Sequence, residues 1–77
     1  MVFITSLEQL REELTVLELQ EKSFMLDLEG GRDKNFTWDE DLERWRSYEH
    51  LLGKMYYNID EILEYLETED NIVLIKC

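Results

Sequence analysis

The chain has 77 residues, with 19 Asp and Glu against 8 Lys and Arg, for a formal net charge of −11. This length allows one domain, which buries only roughly 60% of the surface its unfolded chain exposes. Hydrophobic residues at 44% and aromatics at 12% exclude a disordered acidic tail, and the charge argues against direct contact with nucleic acid or anionic lipid, which needs clustered Lys and Arg.

Residues 1–5, MVFIT, are β-branched or aromatic and predict a short strand. Ser6 is an N-cap, with Gln9 three residues on completing a capping box. Leu7, Leu10, Leu14, Leu17, Phe24 and Leu28 follow a 3-4 spacing, with Glu21 in the one polar slot. The spacing predicts a helix over 7–29 that stops at Gly30-Gly31. Residues 30–36 are the connection, and Thr37 with Glu40 forms a second capping box. Trp38, Trp45, Tyr48, Leu52, Met55, Ile59, Ile62 and Leu66 then predict a second helix over 38–68, with Gly53 inside it. Ile72 to Ile75 form an apolar run too short for a helix and predict a closing strand.

The expected fold is therefore mainly α, an antiparallel two-helix hairpin with short terminal strands (β-α-α-β), a single domain over 1–77. The terminal strands should pair antiparallel. Helices of roughly 35 and 46 Å differ by about two turns, and Val16, Leu19, Leu26, Leu51 and Tyr65 fall outside the main seams. Two strands alone are not a stable sheet. Together these features predict a homodimer.

Residues with a chemical role are scarce. His50 is the single histidine and Cys77 the single cysteine, and no second His or Cys stands near enough to His50 in sequence to complete a zinc set or a nucleophile–base pair. Asp33, Asn35 and Thr37 match positions 1, 3 and 5 of a calcium loop, but Trp38 stands where glycine is required and Arg44 where the bidentate Glu belongs. No phosphate-binding glycine loop is present. The expectation is a non-enzyme with no catalytic residues, cofactor or metal. With no internal disulfide, no basic region ahead of the apolar run in 1–7 and no apolar stretch near ~20 residues, a cytoplasmic, membrane-free location is expected.

The remaining signal is the distribution of acid. Between Met55 and Ile75 there is no Lys or Arg, while Asp60, Glu61, Glu64, Glu67, Glu69 and Asp70 fall in that stretch, and Asp39 and Glu43 join them upstream. Carboxylates crowded at a helix C-terminus oppose the dipole, so their placement hints at use. These eight residues are the candidate partner-binding set. The stretch IDEILEYLETED and the segment WDEDLE, with no catalytic set, resemble the small acidic proteins that phages make to disable host DNA-handling proteins. That class mimics DNA and blocks uracil-DNA glycosylase, restriction enzymes, nucleoid proteins, CRISPR nucleases or the replication sliding clamp. The resemblance is one of kind, without a shared motif. It implies an inhibitor acting in the host cytoplasm on a basic DNA-binding protein. The sliding clamp is preferred, because its basic ring suits a compact acidic dimer. The alternative is a helical adaptor, an assembly factor or antitoxin-like regulator, that meets its partner through apolar seams at Leu19, Leu26 or Leu51.

Overall fold

Ser6 caps a helix as its sequence predicts. In the computed structural model, which describes all of residues 1–77, the Ser6 hydroxyl accepts the Gln9 N–H at 3.1 Å, and the Gln9 side chain turns back to accept the Thr5 N–H at 2.6 Å. Helix α1 runs Leu7–Leu19 and buries Leu10, Leu14 and Leu17. It ends well short of 29. Glu21 takes a left-handed conformation (φ 54°), the Lys22 N–H reaches the Leu17 carbonyl at 3.0 Å, and the Glu21 N–H reaches that of Glu18 at 3.1 Å. This paired arrangement closes a helix end and is usually built on glycine.

Beyond it the period changes from 3.6 to 2. In strand β2 (Phe24–Leu28), Phe24, Leu26 and Leu28 are buried while Met25 and Asp27 are half-buried. Gly30 and Gly31, at φ 85° and 73°, form the turn of a β-hairpin rather than the end of a helix. Strand β3 (Arg32–Asp39) returns with Phe24 opposite Phe36 and Leu28 opposite Arg32.

The predicted helix over 38–68 is replaced by strand β4 (Arg44–Arg46), a 3-10 turn at Leu51–Gly53, strand β5 (Tyr56–Tyr57) and a seven-residue helix α2 (Ile59–Tyr65). Trp38 and Trp45 are seven apart, which a helix places on one face, but here they face each other across β3 and β4. Thr37 caps no helix, and the Asp39 carboxylate instead accepts the Leu42 N–H at 3.0 Å in the hairpin turn. Gly53 lies in the 3-10 turn at φ 77°. α2 starts at Asn58, whose side chain accepts the Glu61 N–H while the Glu61 carboxylate accepts the Asn58 N–H, both at 2.9 Å. A 46 Å helix would not fit a molecule whose longest extent is 32 Å.

Strand β1 (Val2–Phe3) and strand β6 (Val73–Lys76) do form and do pair antiparallel, Val2 opposite Leu74. They belong to one six-stranded antiparallel sheet of order β1-β6-β2-β3-β4-β5. The fold is thus not mainly α but a sheet with two helices. One sheet face, carrying Phe24, Leu26, Phe36, Trp45, Tyr57 and Leu74, packs with α1 and α2 in a single core. The helices leave the other face open. Phe24 stacks on Phe36 at 5.0 Å and meets the edge of Trp45 at 5.3 Å.

The features that predicted a homodimer change with this fold. One chain supplies six strands, and Leu26 and Leu51 are core residues; of the apolar residues in question, Val16 and Leu19 remain exposed.

Candidate functional site

Six ion pairs answer much of the acid seen in sequence. Asp60 pairs with Arg11 at 2.7 Å, Glu69 with Arg32 at 2.6 Å, and Glu61 with Lys54. The stretch from Met55 to Ile75 has no cation of its own, but α1, β3 and the segment before β5 bring three to it. Asp39 lies 3.8 Å from Arg46, Glu49 2.7 Å from Lys34, and Glu13 2.8 Å from Lys76. Of the eight candidate residues, then, Asp39, Asp60, Glu61 and Glu69 have cationic partners, and Glu61 also caps α2. Glu43, Glu64, Glu67 and Asp70 are exposed and have none.

Nor do the eight form one face. Glu67 lies past the Leu66 C-cap, so only Asp60, Glu61 and Glu64 of the eight lie on α2. Glu69 and Asp70 border a groove of about 210 Å³ with Ile4 to Leu7 at the start of α1. Glu43 borders a second groove with Glu18 and Leu19 at the end of α1. The twelve steps from Leu7 to Leu19 separate the two by roughly 18 Å.

The second groove, about 400 Å³, is lined by Glu18, Leu19, Glu21, Trp38 and Glu43. Its walls follow from the turn that ends α1. The Trp45 indole N–H donates to the Lys22 carbonyl at 2.9 Å, and the Trp38 N–H donates to the Ser23 hydroxyl at 3.0 Å. These bonds hold the segment after α1 against β3 and β4. Trp38 leans edge-on against Trp45 with centroids 5.1 Å apart. Its indole Nε1 is buried without a hydrogen-bond partner. Leu19 is 80% exposed. Of this groove the sequence singled out Glu43 as an acidic contact residue and Leu19 as an apolar one. Glu21, the polar slot in the first apolar stripe, was a further signal.

The open sheet face mixes chemistry. Phe3, 70% exposed, lies opposite Val73, and Met25 opposite Ile75, whereas Asp27 faces Asp33 across β2 and β3. At the far end the Arg46 guanidinium stands 4.9 Å over the Tyr48 ring.

Two titratable groups are displaced. The Glu49 carboxylate bonded to Lys34, whose side chain is 15% exposed, raises the lysine above its ordinary 10.5. Burial raises Tyr57 above 10.0; its hydroxyl donates to the Leu51 and Lys54 carbonyls. Neither lines a groove. His50 is exposed at the entry to the 3-10 turn, and no group of three His, Cys, Asp or Glu is arranged to hold a metal ion. No helix is long and apolar enough to cross a membrane.

Comparison with protein-family models, curated proteins and solved structures found no match to this chain.

Proposed function

We propose that this chain is a non-catalytic acidic binding protein that seats on a basic face of another protein, of the kind that holds nucleic acid. The observation that carries this reading is the imbalance left after folding. The six ion pairs use six of the 8 cations, so thirteen of the 19 carboxylates have no cationic partner. Such a surface costs self-repulsion in the monomer and relieves it on a basic partner, whose approach it also accelerates.

The test is to immobilise the chain, load a bacterial lysate and elute with salt or with duplex DNA. Basic nucleic-acid-binding proteins should be retained, then released by salt and displaced by the duplex. Reversing Glu64 and Glu67 to Lys should weaken retention mainly through the association rate, since neither makes a side-chain bond that the fold needs. Retention that ignores both salt and the reversal would sink the proposal.

The adaptor reading keeps Leu19, which stays exposed, and loses Leu26 and Leu51, which are buried; the open sheet face around the exposed Phe3 is a further apolar surface for it. Binding that persists at high salt would favour it.

A further inference from the structure

The groove at the end of α1 joins an aromatic ring to carboxylates that form no ion pair, with Lys22 and Arg44, the two cations outside the six pairs, next in sequence to Glu21 and Glu43. Glu18, Glu21 and Glu43 line it and take part in none of the ion pairs. Its apolar surface comes from the partly buried Trp38 and from Leu19, left 80% exposed. About 400 Å³ is within the range of pockets that take a small ligand or an inserted side chain. We propose that this groove is a docking site for an arginine side chain of a protein partner. The reading rests on the proposal above that the partner is basic, and names where one of its residues seats.

Charge and shape select the occupant. An anionic or purely apolar side chain would desolvate three carboxylates without compensation. A cation is attracted both by the carboxylates and by the face of a tryptophan, the strongest of the aromatic partners for a cation. Arginine is favoured over lysine because its planar guanidinium stacks on a ring while its N–H fork bonds a carboxylate, and it is less strongly hydrated. The site is well supported: Trp45 fixes the turn after α1 through the Lys22 carbonyl, and Ser23 fixes the strand that carries Trp38.

The two indole N–H signals give a direct readout. The protein, labelled with nitrogen-15, is titrated with a tetra-arginine peptide, with its citrulline counterpart as a neutral isostere and with tetra-lysine. The Trp38 indole signal should shift and saturate with tetra-arginine, while that of the buried Trp45, already bonded to Lys22, stays in place. The citrulline peptide should leave both unmoved, and tetra-lysine should bind more weakly. Glu18→Gln combined with Glu43→Gln should weaken the arginine peptide about five-fold. Neither side chain bonds to the rest of the fold, so the variant keeps its structure.

Equal binding of tetra-lysine would overturn the choice of arginine. Shifts confined to Glu64, Glu67 and their neighbours would overturn the groove and leave the basic-partner reading standing. No shift anywhere at millimolar peptide would overturn both.

Discussion

Glu21 holds a position that glycine fills in most helices that end this way. Its φ of 54° costs roughly 1 kcal/mol against a residue without a Cβ. Glu21→Gly should therefore raise stability by about 0.5–1 kcal/mol, read as a higher urea midpoint with an unchanged slope. A lower midpoint would mean that the glutamate makes a contact of its own. The same substitution removes one of the groove carboxylates, so tolerating the strain has a use if the groove binds. Asn71 also lies left-handed, at φ 56°, but asparagine adopts that conformation readily. At this scale the sequence was legible where the chemistry is local, as at Ser6. It was not legible at Glu21, because nothing in a glutamate announces a turn.

Among the elements, α2 is the one whose existence hangs on its ends. Seven residues are too few for a helix stable by propagation alone. It persists because Asn58 and Glu61 cap it reciprocally and Ile62 and Leu63 are buried in the core. Asn58→Ala should cost about 1 kcal/mol and open the amides of α2 to hydrogen exchange before those of α1. If both helices exchange together, α2 is not a separate weak unit. The strands show why a helix was expected across 38–68. Positions 38 and 45 suit a heptad as well as they suit a hairpin register. The deciding signs were Phe36 and Trp38 at a spacing of two, the aromatic pair Tyr56-Tyr57, and the Gly30-Gly31 pair, which marks a hairpin turn when strands flank it.

For the molecule as a whole, alkaline pH is the informative stress. Tyr57 and Lys34 both hold their protons more tightly folded than unfolded. Their contribution is complete below pH 10, where both states are protonated, and is lost as pH rises through the folded values. Unfolding in urea should require less denaturant at pH 11 than at pH 9, and the drop should shrink in Tyr57→Phe; an undiminished drop would assign the loss to other groups. The sequence by itself determined the acidity, the first helix start and the two terminal strands, because these depend on composition, caps and short apolar runs; their pairing was expected from a helical hairpin that the structure replaces with a sheet. Tertiary structure decided the rest. Pairing of β2, β3 and β4 overrode a helical spacing that the same residues satisfy, since a sheet buries Phe24, Phe36, Trp45 and Tyr57 against both helices at once. It also sorted the carboxylates. Arg11, Arg32 and Lys54, distant in sequence from most of the acids they meet, neutralise Asp60, Glu69 and Glu61, while Glu18, Glu21 and Glu43 converge unpaired beside Trp38. A charge count along the chain cannot distinguish these two fates, because pairing depends on distance through space.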